Sequence, residues 1–136
     1  MPEKSSDAAS LKERIRSGQT VLGLHVPIGL EPDPIRSLLD RGPYDFLWVD
    51  SQHAPLNEER LVSFCAMAGD LGLPVQLRIK HTHQAYMIGN YLDLGPSGVE
   101  VPQVEEESTV DEAVSSFYYP PTGMRSVGGV TRVGSK

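Results

Sequence analysis

Asp45-Phe46-Leu47-Trp48-Val49-Asp50-Ser51-Gln52-His53-Ala54-Pro55 is an apolar run that stops on an acid and meets a histidine three residues later. The run lacks the helical period and ends sharply, so it reads as a buried strand with its polar tail just past the C-terminal end. In α/β folds that edge carries the chemistry, because rigid strands hold loops that are free to vary. There Asp50 is expected to fix the tautomer and orientation of the His53 imidazole, leaving the other ring nitrogen to move a proton.

The same alternation extends outward in both directions. Residues 21–26 read as a strand, followed by a helix opening on Asp33-Pro34, with Ile35, Leu38 and Leu39 as its apolar stripe and Gly42-Pro43 as its break. After the strand at 45–49, a helix begins near Asn57, with Glu58 and Glu59 in its first turn and Leu61, Phe64, Cys65 and Ala68 as its stripe. Residues 74–79 form a third strand, and residues 84–94 a helix expected to bury Tyr86, Met87, Tyr91 and Leu92. A short strand at 98–101 precedes a last helix, with Thr109 and Glu112 as a capping box and Pro120-Pro121 as its end. Ahead of all this, Ser10 caps a short helix, Glu13 closes its capping box and Gly18 stops it, while residues 1–9 are expected to be disordered. Four strand–helix alternations with short connections predict an α/β fold with a parallel sheet and right-handed crossovers, in one domain over 10–136.

Composition narrows the function classes. Twelve basic residues against eighteen acidic ones give a net charge of −6, without a Lys/Arg cluster, which argues against a nucleic-acid surface. One cysteine allows no intrachain disulfide and suits a reducing, cytoplasmic compartment. Cys65 lies among Phe64, Ala66 and Met67 and reads as a packed core thiol. No apolar run approaches membrane-spanning length, and the first ten residues carry no apolar signal segment.

In a parallel sheet the strand ends project from one rim. They offer His25 after the first strand, Asp50 and His53 after the second, Arg78 at the third and Gln103 after the fourth. A histidine, an acid and an arginine converging there suit a reaction that develops an oxyanion, with Arg78 stabilising the oxygen and His53 shuttling the proton. The alternative is structural: loop histidines with satisfied partners, and Arg78 paired with an acid. His81-Thr82-His83 offers two imidazoles, too few for a metal site. Glu105-Glu106-Glu107 reads as a solvated run complementing a helix dipole. The glycine-rich stretch from Gly123 to Gly129 follows Pro-Pro, not a strand, so it is no phosphate-cradling loop.

Four segments in order carry a family resemblance: the strand and Asp-x-x-His-Ala-Pro loop at 45–55; Pro74-Val75-Gln76-Leu77-Arg78; Tyr91-Leu92-Asp93-Leu94-Gly95; and Tyr119-Pro120-Pro121-Thr122-Gly123-Met124-Arg125-Ser126-Val127-Gly128. Together they resemble the HpcH/HpaI family of class II pyruvate aldolases, which includes 4-hydroxy-2-oxoheptanedioate aldolase and 2-dehydro-3-deoxyglucarate aldolase. The resemblance implies the first half of a (β/α)₈ TIM barrel, about four parallel βα units preceded by a short N-terminal helix; the family's barrels run to about 250 residues.

The resemblance also implies roles. His53 is the general base acting on a substrate 4-hydroxyl, oriented by Asp50. Arg78 holds the 2-keto oxygen and stabilises a pyruvate enolate; Gln103 and His25, from their places at the strand ends, are expected as further substrate contacts. A divalent metal (Mg²⁺, Mn²⁺ or Co²⁺) acts as Lewis acid. Its direct ligands, a Glu and an Asp on later strands, lie beyond Lys136, and Gln52 and Asp93 belong to its outer shell. Gln52 stands where the family has Glu, which removes a negative charge. The implied reaction is reversible cleavage of a 4-hydroxy-2-oxo acid to pyruvate and an aldehyde, in a homo-oligomer. Two alternatives stand beside it: a non-catalytic, self-associating half-barrel, and a family member that decarboxylates its substrate or condenses its enolate with another acceptor.

Overall fold

A computed structural model describes residues 10–128. The expected disorder of residues 1–9 and the end of the glycine-rich stretch lie outside the described residues.

Ser10 begins the first element as expected. Its hydroxyl accepts from the Glu13 N–H (3.3 Å) while the Glu13 carboxylate accepts from the Ser10 N–H (2.7 Å), closing a capping box on α1, Leu11–Arg16. Gly18, at φ +78°, takes the left-handed conformation that releases the chain. Four strands follow: β1 (Gly23–His25), β2 (Phe46–Asp50), β3 (Val75–Arg78) and β4 (Gly98–Glu100), all parallel and in the spatial order β1-β2-β3-β4. Between them lie α2 (Pro32–Leu39), α3 (Glu58–Asp70), and a 3₁₀ turn (Thr82–Met87) running into α4 (Ile88–Asp93); α5 (Glu107–Phe117) comes last.

Consecutive strand order with right-handed crossovers puts every helix on the same face of the sheet. This is the arrangement of half a (β/α)₈ barrel, and strand alternation divides the residues accordingly. Leu47, Val49, Val75 and Leu77 point to the helices and are buried with Ile35, Leu61, Phe64 and Ala68. Phe46, Trp48, Asp50, Gln76, Arg78 and Glu100 take the other, concave face. Burial pushes the Cys65 thiol up to about 12, in keeping with a packing role for this half-buried side chain.

Several local expectations are corrected. β2 starts at Phe46, not Asp45, because the Asp45 carboxylate is taken by Arg14 of α1 (2.6 Å) and the Leu22 N–H (2.9 Å), tying the first helix to the sheet. α2 begins at Pro32 with Glu31 as its cap; Asp33 falls in the first turn and pairs with Arg36 (2.8 Å) instead of capping. The helix expected over 84–94 is split, since His81 opens a 3₁₀ turn by accepting the His83 N–H on Nδ1 (3.1 Å). On that turn Tyr86 is 62% exposed, not buried. The Thr109–Glu112 box does not form: α5 starts at Glu107, Thr109 already lies inside it, and Glu106 caps without a side-chain hydrogen bond to a first-turn amide.

A candidate 2-oxo acid site on the rim of β2 and β3

Parallel registry sets Asp50 beside Arg78 at the C-terminal rim. Arg78 Nε donates to Asp50 Oδ1 and Nη2 to Oδ2, both at 2.9 Å, a bidentate pair. The Asp50 carboxylate also accepts the backbone N–H of Gln52 (2.8 Å) and of His53 (3.3 Å). Fully buried Ser51 donates both its N–H (3.0 Å) and its hydroxyl (2.6 Å) to the Arg78 carbonyl. The loop after β2 is thus pinned to β3 from both sides. Arg78 above all, helped by the two amides and opposed by burial, holds the Asp50 carboxyl down at about 2. In return Asp50 raises the guanidinium's affinity for its proton, with Glu100 adding to the effect.

The pair rests on an aromatic floor. The Arg78 guanidinium lies 4.8 Å from the Trp48 ring, whose Nε1 donates to Glu100 Oε2 (2.9 Å), and His25 meets the same ring edge-on at 4.6 Å. Nε and Nη2 are spent on Asp50, while Nη1 makes no hydrogen bond among the described residues. It is the donor this site can offer an anionic oxygen. Beside it, His25, Pro27, Gly29, Asp50, Asn57 and Arg60 line a cleft of about 400 Å³.

The structure brings together five of the expected residues. His25, Asp50 and Arg78 share the Trp48 cluster, and Gln52 and Gln103 meet across the rim, Nε2 donating to Oε1 at 3.4 Å. Gln103 sits at φ +50°, a left-handed conformation uncommon outside glycine. His53 lies exposed in the pinned loop, but the expected link from Asp50 runs to its backbone N–H; the carboxylate itself faces Arg78. Asp93 is not on this rim. α4 runs back against the strand direction, so its last residue falls at the opposite edge, where Asp93 pairs with Arg125 at 2.5 Å.

Sequence reasoning missed Trp48, Gln76 and Glu100 as concave-face residues. Their signal was the polar alternation Gln76/Arg78 and Trp48/Asp50. Among the described residues no three His, Cys, Asp or Glu side chains gather to hold a metal ion, and the Asp50 oxygens are committed to Arg78. The donors present do not fit a divalent-cation site by themselves. His81 and His83 stack edge-to-face at 4.7 Å without a third ligand. Glu105, Glu106 and Glu107 are solvent-exposed at the start of α5, as expected.

Comparison with known proteins agrees with this geometry. The chain is 31% identical over 118 residues to a hydroxypyruvate/pyruvate aldolase of Pseudomonas aeruginosa, covering 86% of this chain and 42% of that protein. It is 29% identical over 120 residues to a 4-hydroxy-2-oxo-heptane-1,7-dioate aldolase of Escherichia coli, covering 88% and 44%. Among solved structures, an HpcH/HpaI aldolase from Desulfitobacterium hafniense superposes with a TM-score of 0.75 at 30% identity, over 90% of this chain and 46% of that one. The citrate synthase SbnG follows at 0.73 and 30%, over 90% and 49%. The chain therefore spans less than half the length of the relatives it matches. The model of the family described as HpcH/HpaI aldolase/citrate lyase matches residues 28–134, and the chain belongs to that family.

Proposed function

We propose that this chain carries the 2-oxo acid half of a carbon–carbon lyase centre, which cleaves a 4-hydroxy-2-oxo acid to pyruvate and an aldehyde. The observation that carries the reading is the bidentate Asp50–Arg78 pair, stacked on Trp48 with Nη1 left over at the rim. Asp50 fixes the guanidinium plane, so Nη1 is aimed before substrate arrives; such preorganised donors supply much of an enzyme's rate enhancement.

In the cleavage direction His53 takes the proton of the substrate 4-hydroxyl. The oxygen's electron pair forms the aldehyde carbonyl as the C3–C4 bond breaks. That bond's electrons become the enolate of pyruvate, with charge on the 2-oxygen against Arg78, and protonation at C3 releases pyruvate. Gln103 and His25 border the same rim as further substrate contacts. The described residues supply no cation site, so dependence on Mg²⁺, Mn²⁺ or Co²⁺ would need donors outside 10–128.

The test is pyruvate release from a 4-hydroxy-2-oxo acid, with and without EDTA, alongside pyruvate binding followed by the fluorescence of the single tryptophan, Trp48. Arg78→Ala is expected to lower release about 100-fold and to abolish the pyruvate-dependent change, whereas His53→Ala lowers release but leaves binding intact. Release and binding indifferent to Arg78→Ala would overturn the reading. The similarity to a citrate synthase supports a second outcome: the same enolate condenses with an acceptor 2-oxo acid. Consumption of acceptor without pyruvate release identifies it.

A further inference from the structure

The cleft beside the Asp50–Arg78 pair has two walls, residues 26–29 between β1 and α2 and residues 54–57 between β2 and α3. Both walls are loops that join described elements, and Arg60, in the first turn of α3, stands between them and the helix. Most of the lining is apolar, with Val26, Ile28, Ala54 and Leu56 among it. The volume of about 400 Å³ falls within the range of small-molecule sites, which are apolar with a few placed polar groups. Those groups here are His25, Asp50, Asn57 and Arg60.

Charge decides what such a cleft accepts. Asp50 is the one acid in the lining, and Arg78 already neutralises it. Arg60 brings a positive charge that none of the ion pairs among the described residues uses. Glu31 shares a neighbouring hollow with Arg60 and makes no ion pair with it; Glu58 and Glu59 precede Arg60 on α3 and do not line the cleft. Asn57 Oδ1 accepts the Arg60 backbone N–H (2.9 Å), which anchors the residue at its base. Its Nη1 reaches to 3.8 Å from where a side chain at Gly29 would begin, so the charged head lies against the loop after β1. One cation beside an amide side chain on an apolar wall suits one carboxylate, which a guanidinium fork holds with two hydrogen bonds. A phosphate dianion would be left half neutralised there.

The order of groups follows a substrate chain. Arg78 serves the 2-oxygen and His53 the 4-hydroxyl, and Ala54 and Pro55, directly after His53, belong to the cleft wall. The substituent that C4 carries beyond its hydroxyl therefore leaves His53 along the loop that runs to Arg60.

We propose that Arg60 is a specificity-determining residue: the cleft receives the aldehyde half of the substrate, and Arg60 selects those halves that end in a carboxylate. The inference rests on the 2-oxo acid reading of Arg78 given above. The contact is made before and during bond cleavage alike, so it acts on KM and not on kcat.

Two probes that lack a 4-hydroxyl cannot be cleaved, and calorimetry then reads affinity alone. 2-Oxoadipate ends in a carboxylate; 2-oxohexanoate carries a methyl group in its place. The parent is expected to bind 2-oxoadipate about fivefold more tightly, a modest ratio because Arg60 is exposed. Arg60→Ala erases that ratio, Arg60→Glu inverts it and Arg60→Lys keeps part of it. All three replacements are good helix formers at an exposed position, and circular dichroism checks their folding. In the cleavage assay Arg60→Ala raises KM for an acid-ended substrate with little change in kcat. Binding of 2-oxohexanoate without preference for 2-oxoadipate, or a preference that survives Arg60→Ala, overturns the role of Arg60 and leaves that of Arg78 standing. A parent that binds neither probe, or binding indifferent to Arg78→Ala, overturns the 2-oxo acid reading and this proposal with it.

Discussion

Asp50 accepts four hydrogen bonds, two from Arg78 and two from the amides of Gln52 and His53, and all four favour the ionised carboxylate. Its pKa falls from 3.8 to about 2, and the sign of the consequence is set by that direction. A depressed carboxyl stabilises the fold above its unfolded pKa, and the contribution is lost as pH drops from about 4 to about 2. The size is about 2 kcal/mol. Urea midpoints of the parent should therefore fall steeply across that window. Asp50→Asn should be less stable at pH 6 by a similar amount and nearly flat between pH 4 and 2, apart from the other carboxyls. An Asn variant as acid-sensitive as the parent would show that the pair contributes nothing to stability. Arg125 offers a contrast: it is nearly buried and pairs with Asp93, yet its Nε has no partner, and its stacking on Tyr119 at 4.7 Å serves the packing of α4 rather than the rim.

Helix starts show how far single elements obey local rules. Asn57 caps α3 by accepting the Arg60 N–H at 2.9 Å, so Asn57→Ala should cost about 1 kcal/mol. Glu106 occupies the cap of α5 in extended backbone, φ −124° and ψ 142°, its carboxylate accepting the Ser108 hydroxyl (3.2 Å) but no first-turn amide. Glu106→Ser should gain about 0.5 kcal/mol or more, since a hydroxyl there reaches the orphan amides that a longer side chain overshoots. Chemical denaturation of the two variants against the parent checks both. The same contrast explains what the sequence made legible. β2 was readable because an unbroken apolar run ends on Asp50, and the Ser10 and Asn57 caps because each stands alone before its helix. Competing signals misled elsewhere: Pro32 and Pro34 both suit a first helical position, and Thr109 with Glu112 mimics a box inside a helix already begun. At the site, Asp50 and Arg78 were legible from strand ends. Trp48 and Glu100 were not, because their role depends on which face of the sheet they take, and that follows from the pairing of distant strands. Asp93 was misplaced because its segment was read without the direction of α4.

Among the described residues, the sheet is paired on both sides in its middle and on one side at β1 and β4. β2 and β3 are paired on both flanks and backed by the buried stripe of α3, whereas β1 and β4 are three residues each with a neighbour on one flank. Protection against hydrogen exchange should follow that gradient, because amides held in the centre open only with the whole fold while edge amides open locally. In dilute protein, Leu47, Ser51 and Ile79, whose N–H groups bond to Pro74, Arg78 and Glu100, should exchange slowest. The amides of β1 and β4 should exchange far faster, along with those of α5, which fully buries none of its residues; equal protection in all four strands would show that no such gradient exists.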